Sequence, residues 1–146
     1  MTGAVGHAED ARASTTTDLE QRVGSLLGAF PGIMAVYLFG SMADGTAQPE
    51  SDLDLAVVPA DDTVRTQKLE MLTALARAGF ANVDLVFLDG RDAVLRFHAV
   101  RRNRPINLAP GFDHPGYFSR ALREYFDLEP LLRVRHRAYR ERMLSG

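Results

Sequence analysis

Apolar positions along the chain change their spacing several times, and each change marks an element. Leu19, Val23, Leu26, Leu27 and Phe30 recur at three- and four-residue intervals, which predicts an amphipathic helix. Thr17 or Asp18 can cap its start, and Pro31-Gly32 ends it. Ile33 to Phe39 is a near-continuous apolar run, the pattern of a buried strand. Ser41 to Ala47 is polar and reads as a short helix or turn. Leu53 to Val58 predicts a second strand, closed by Pro59. Asp61 or Asp62 then caps a helix to about Ala78, with Val64, Leu69, Leu72, Leu75 and Ala76 on its apolar face and Gly79 as its stop. Val83 to Leu88 predicts a third strand. Asp92 starts a helix through Val94, Leu95, Phe97 and Val100, which Pro105 stops. Asn107 to Pro115 has three Pro or Gly signals and reads as a loop. Tyr117 to Phe126 is helical, and Pro130 suits the first turn of a last helix to about Leu144.

Strands alternating with helices predict an α/β (α+β) fold followed by a helical segment. Residues 1–17 are small and polar with three consecutive threonines, and read as a disordered tail. The expected organisation is thus a tail at 1–17, a core at 18–105, and a C-terminal helical segment at 106–146 packed on the core or on a partner. The residue content, 46% hydrophobic and 25% charged, is that of an ordinary globular domain. No cysteine is present, which excludes disulfides, thiol nucleophiles and thiolate metal sites. No apolar run approaches the ~20 residues of a membrane span, and the N-terminus has neither the basic start nor the apolar stretch of a signal peptide. A cytoplasmic location without membrane contact is the simplest expectation.

Charge is divided unevenly. Residues 1–90 carry 5 basic and 13 acidic side chains, and residues 91–146 carry 12 and 6. A basic half can face phosphate, or it can be a solvated helical surface. A whole-chain pI of about 6.1 does not favour direct nucleic-acid binding, which usually goes with a pI above about 9.

The chemistry concentrates in one stretch, FGSMADGTAQPESDLDLAVV from Phe39 to Val58. A strand ends at Gly40-Ser41; ten residues later Asp52-Leu53-Asp54 opens the next strand. Side chains alternate along a strand, so Asp52 and Asp54 leave the same face, their Cα atoms roughly 6–7 Å apart. Mg²⁺ takes oxygen ligands and usually binds through one or two carboxylates plus substrate phosphates. Gly-Ser at a turn offers backbone N–H groups and a hydroxyl to those phosphates. Asp84 begins the third strand in Asn82-Val83-Asp84-Leu85-Val86, from which it can reach the same metals. Three clustered carboxylates repel one another and make physical sense with a cation bound. Two metal ions and such a cluster suit in-line displacement at phosphorus.

These residues resemble the DNA polymerase β-like nucleotidyltransferase superfamily, whose signature is Gly-Ser, a spacer of about ten, Asp-x-Asp, and a later Asp on a neighbouring strand. Gly40, Ser41, Asp52, Asp54 and Asp84 match it. Within that superfamily the chain is similar to the minimal nucleotidyltransferase (MNT) antitoxins of HEPN/MNT toxin–antitoxin pairs. Its shortness, the segment AVLRFHAVRRNRPI after the third strand, and the amphipathic tail YFSRALREYFDLEPLLRVRHRAYRERM carry that likeness, over roughly residues 18–143.

The resemblance implies a small mixed β-sheet flanked by helices, with a C-terminal helical tail. It implies transfer of AMP from Mg-ATP to a tyrosine of a partner HEPN ribonuclease, in a hetero-oligomer. Asp52 and Asp54 would then hold both Mg²⁺ ions, Asp84 would bind the catalytic metal and help deprotonate the acceptor hydroxyl, and Gly40 and Ser41 would hold the triphosphate of ATP. One departure is plain: many relatives carry a basic residue shortly after Gly-Ser, where this chain has Met42, Ala43 and Asp44. Arg65, Lys68 or the group Arg101, Arg102 and Arg104 could take its place.

Two other functions compete: the same chemistry on an antibiotic hydroxyl or an RNA end, and a module that blocks its partner by contact alone. The four histidines, at 7, 98, 114 and 136, are not at metal-ligand spacing and read as surface or core residues. Tyr37 reads as strand packing. Tyr117, Phe118, Leu122, Tyr125 and Phe126 repeat at helical spacing and read equally as core or as a partner face.

Overall fold

The computed structural model describes residues 7–40, 53–90 and 92–145. Strands β1 (Ile33–Phe39), β2 (Leu53–Pro59), β3 (Val83–Phe87) and β4 (Pro105–Leu108) form one mixed sheet in the order β3-β2-β1-β4. β1 runs antiparallel to β2 and β4, and β2 runs parallel to β3. The helices are α1 (His7–Gly28), α2 (Lys68–Arg77), α3 (Ala93–Val100) and α4 (His114–Ser145), with a 3₁₀ turn at Asp62–Gln67 before α2. Among the described residues no helix is long and apolar enough to cross a membrane.

Period-two alternation divides the sheet into two unlike faces. One face carries Val36, Leu38, Leu55, Val57, Leu85 and Phe87, and packs against Val23 and Leu27 of α1 and Met71 and Leu75 of α2. The opposite face carries Ala35, Tyr37, Ala56 and Val58, and meets Ala99 and Val100 of α3 and Ala121 of α4. Its alanines let those helices lie close to the strands. Phe97 of α3 stacks on Tyr125 of α4 with centroids 3.8 Å apart and planes 7° apart, which joins the two helices into one layer.

Four elements differ from the sequence expectation. α1 begins at His7, so the stretch expected as a disordered tail is helical from there, and residues 1–6 lie outside the described residues. Ala8, Glu9, Ala11, Arg12 and Ala13 are strong helix formers without an apolar stripe, so periodicity missed them. The helix expected from Asp61 is first a 3₁₀ turn, capped by Asp61 accepting from the Thr63 amide at 2.9 Å, and only then α2. The loop expected from Asn107 hides the second half of β4, whose register pairs Val36 with Asn107 and Ala35 with Leu108. β4 starts at a proline on the sheet edge, where no ladder donor is needed. A boundary after residue 105 would cut through it. Finally, α4 is one helix through Pro130, not two. Proline leaves the Phe126 carbonyl without its helical donor, and both residues are exposed, so water can take that place.

Gly24 shows how tightly α1 lies on the edge strand. A Cβ there would come within 3.0 Å of the Ile106 carbonyl oxygen, a backbone atom that cannot swing away. Gly24→Ala is therefore expected to lower stability by about 1–3 kcal/mol through overpacking. Urea unfolding checks this; an unchanged midpoint would mean that α1 is free to lift from β4.

Candidate active site

Strand register brings the carboxylates together. β2 and β3 pair in parallel with Asp54 directly opposite Asp84, which puts their Cα atoms about 4.8 Å apart and both side chains on one face. That face is the one under α3 and α4, because Asp54 alternates with Leu53 and Leu55, and Asp84 with Val83 and Leu85. Asp54 is half-buried and Asp84 exposed, so the pair sits at the rim of the sheet rather than inside it.

Gly40 closes the site from the side of β1. Phe39 is the register partner of Asp54, so the chain leaves β1 beside that carboxylate. Gly40 has φ +72°, a left-handed conformation that side chains disfavour. A Cβ there would also fall well under 3.0 Å from Oδ2 of Asp54. Glycine is required twice over: for the turn, and to leave the Asp54 carboxylate its seat.

Of the five residues expected at the site, Gly40, Asp54 and Asp84 are thus brought together. Ser41 and Asp52 lie outside the described residues, as does the turn expected at Ser41 to Ala47. Among the described residues no three His, Cys, Asp or Glu are grouped to hold a metal ion; Asp54 and Asp84 are two. Their chemistry fits a hard cation such as Mg²⁺, which takes carboxylate oxygens and completes its shell with water or phosphate.

The C-terminus of α3 borders the same end of the sheet. Phe39, Gly40, His98, Arg101 and Arg102 line an open cleft of about 180 Å³. The turn after α3 is held by a polar chain that no local pattern announced and that runs from buried Tyr37 out to exposed Asn103. Tyr37 Oη lies 2.8 Å from Nδ1 of His114, and Nε2 of His114 lies 2.6 Å from Oδ1 of Asn103. Because the amide oxygen only accepts, Nε2 donates to it, and Tyr37 donates to the other ring nitrogen. Burial, and then the neighbouring Tyr117, push the Tyr37 hydroxyl well above the usual tyrosine range, so it stays a donor. Tyr117 stacks on Tyr37 at 6.1 Å, and its hydroxyl is buried with no hydrogen-bond partner among the described residues. His114 and Tyr37, expected as plain packing or surface residues, are therefore partners 77 positions apart.

With this geometry in place, the comparisons with known proteins agree on one family. Residues 21–108 match the family described as Polymerase beta, Nucleotidyltransferase. The chain belongs to that family. It is 36% identical over 76 residues to the protein adenylyltransferase MntA of Shewanella oneidensis, a stretch that covers 52% of this chain and 55% of that protein. The chain thus spans about half the length of this relative. Among solved structures, a chain of a toxin–antitoxin complex with AMP-PNP is 27% identical, with a TM-score of 0.65 over 86% of this chain and 98% of that one. A chain from a complex of tri-AMPylated Shewanella oneidensis HEPN toxin with MNT antitoxin has 23% identity and a TM-score of 0.61, over 88% of this chain and 98% of that one; it shows the shared fold. The four-stranded mixed sheet is that of polymerase β-like nucleotidyltransferases.

Two expectations follow. Gly40→Ala displaces the Asp54 carboxylate, and Mn²⁺ affinity, read by electron paramagnetic resonance titration, is expected to fall about 10–100-fold; equal affinity would mean that Asp54 is not a ligand. The two buried tyrosines differ in sign. Tyr37→Phe leaves His114 Nδ1 without its donor and is expected to cost about 1–3 kcal/mol, whereas Tyr117→Phe removes an unpaired hydroxyl and is expected to be neutral or stabilising. Thermal unfolding of both variants checks this pair.

Proposed function

We propose that this chain is an antitoxin nucleotidyltransferase that transfers AMP from Mg-ATP to a tyrosine of a cognate HEPN ribonuclease toxin and so silences it. The observation that carries this reading is the in-register pair Asp54 and Asp84 set against the glycine turn at Gly40. Membership of the nucleotidyltransferase family and similarity to a protein adenylyltransferase support it. Similarity to a chain of a toxin–antitoxin complex with AMP-PNP supports the partner class and the nucleotide.

Asp52, Asp54 and Asp84 would hold two Mg²⁺ ions, as hard oxygen donors suit them. The bound metal would supply charge neutralisation for the triphosphate and a lowered pKa for the acceptor hydroxyl. The acceptor tyrosine oxygen attacks the α-phosphorus, and its proton passes to the Asp84 carboxylate. The bond from that phosphorus to the bridging oxygen breaks, and pyrophosphate leaves with the electron pair. Gly40 and Ser41 would offer backbone donors to the phosphates. The assembly is a hetero-oligomer with the toxin in the cytoplasm.

Label transfer from α-³²P-ATP with Mg²⁺ to the product of the adjacent open reading frame tests this. Label on the partner from the α- but not the γ-phosphate, lost in Asp54→Asn, is the expected result. The absence of a basic residue at Met42–Asp44 favours a second reading, inhibition by contact alone. A stable complex that carries no label, and an Asp54→Asn chain that still neutralises the toxin, would establish the second reading instead.

A further inference from the structure

Nothing basic follows Gly40-Ser41 in the chain until Arg65, so the cation that would meet the distal phosphates must come from elsewhere in the fold. Each of the basic candidates now has an address. Arg65 is ion-paired with Asp89, which lies beyond the C-terminal end of β3, while Asp84 sits near its start. Lys68 and Arg65 share a recess with Leu85, Val86, Phe87 and Leu95, along β3 and away from Gly40. Arg104 is ion-paired with Glu20 of α1. Only Arg101 and Arg102, among these five, line the cleft that contains Gly40.

We propose that Arg101 and Arg102, with His98 one turn earlier, form the subsite for the β- and γ-phosphates of a nucleoside triphosphate bound at Gly40, Asp54 and Asp84. This rests on the nucleotidyltransferase reading above and names the part of the site that the sequence after Gly-Ser lacks. His98, Arg101 and Arg102 fall at i, i+3 and i+4, so they form one stripe at the end of α3, and the cleft they line runs to Gly40. Arg101 is exposed and makes no ion pair among the described residues.

The stripe is held on both sides. Before the arginines, the Arg101 amide donates to the Phe97 carbonyl at 2.9 Å. After them, Asn103 adopts a left-handed φ of 53°, its amide donates to the Val100 carbonyl at 2.7 Å, and its side chain accepts from His114. The Leu38 amide donates to the Arg104 carbonyl at 3.0 Å, which ties the same turn to β1, the strand that ends at Gly40. The backbone that carries the arginines and the glycine turn are thus fixed to one strand, which sets where the arginines start relative to the carboxylates. A bland role exists: cations at a helix C-terminus are stabilised by its dipole. That role needs neither two guanidinium groups nor their position on the cleft at Gly40. The planar guanidinium also suits bidentate capture of phosphate oxygens better than an ammonium would.

The test uses the full chain and calorimetric titration with Mg-AMP-PNP, AMP and inorganic tripolyphosphate. Arg101→Gln/Arg102→Gln is expected to weaken Mg-AMP-PNP at least about tenfold, the loss of one charge-assisted contact or more. Affinity for AMP, which lacks the distal phosphates, is expected to change less than about twofold. Tripolyphosphate is expected to compete with Mg-AMP-PNP on the wild-type chain and to lose that ability in the double variant. Arg65→Gln/Lys68→Gln is expected to change neither nucleotide's binding. Equal Mg-AMP-PNP affinity in wild type and double variant, or parallel losses for AMP and Mg-AMP-PNP, would overturn the subsite. If the double variant unfolds, Arg101→Gln alone and Arg101→Lys/Arg102→Lys replace it; the latter keeps the charge and is expected to retain most of the affinity. A wild-type chain that binds tripolyphosphate through these arginines yet transfers no label would leave a polyphosphate site standing and remove the adenylyltransferase reading. A chain that transfers label with both arginines replaced and unchanged nucleotide affinity would do the reverse.

Discussion

Two carboxylates facing each other across a parallel strand pair are an arrangement that folding alone opposes. Asp54 and Asp84 repel when charged, and β-sheets generally avoid like charges directly opposite. The pairing persists because neighbouring rungs of the same ladder, Leu55 with Leu85 and Val57 with Phe87, bury four apolar side chains in the core below. A one-residue slip would turn all of them to the wrong face. The hydrophobic register therefore forces the acidic one, at a rim where Asp84 is open to solvent. Gly40 belongs to the same constraint, since its missing Cβ is the space that Asp54 occupies.

The two faces of the sheet divide the labour. The face against α1 and α2 is built of large aliphatic side chains and supplies most of the buried apolar surface, which is what fixes the register. The face against α3 and α4 carries Ala35, Ala56, Tyr37 and Val58, and its alanines let the helices lie close to the strands. Tyr37 then reaches through His114 to Asn103 and pins the α3–β4 turn. Only the Tyr37 end of this chain is buried, so its net contribution to stability is modest and its main effect is to position the turn.

The candidate site was legible where the signal was local. Gly40, Asp54 and Asp84 stand out because a carboxylate alternating with leucines at a strand start has few structural uses, and both strands were visible from their apolar runs. What the sequence could not give was anything carried by distance or by weak punctuation. β4 is four residues long and starts with proline, so no period marks it. Pro130 reads as a helix start, yet exposure lets the helix run through it. The helical part of α1 before Asp18 has propensity without an apolar stripe. Tyr37 and His114 have no local relation at all. The cations were named in the sequence as three alternatives, Arg65, Lys68 or the group Arg101, Arg102 and Arg104, and the topology separates them because β4 returns beside β1 and brings the end of α3 to Gly40.

That return also brings part of the basic second half of the chain beside the acidic first half. The acidic first 90 residues supply the carboxylates of the rim, and the basic remainder contributes α3 and α4 on the face above them. Separated in sequence, the two signs meet in space at one end of the sheet, where Arg101 and Arg102 line the cleft at Gly40. A site that had its cation immediately after Gly-Ser would need no such meeting. Here the positive side of the cleft depends on β4 pairing with β1, so the edge strand that sequence periodicity missed is the element that completes the electrostatics of the site.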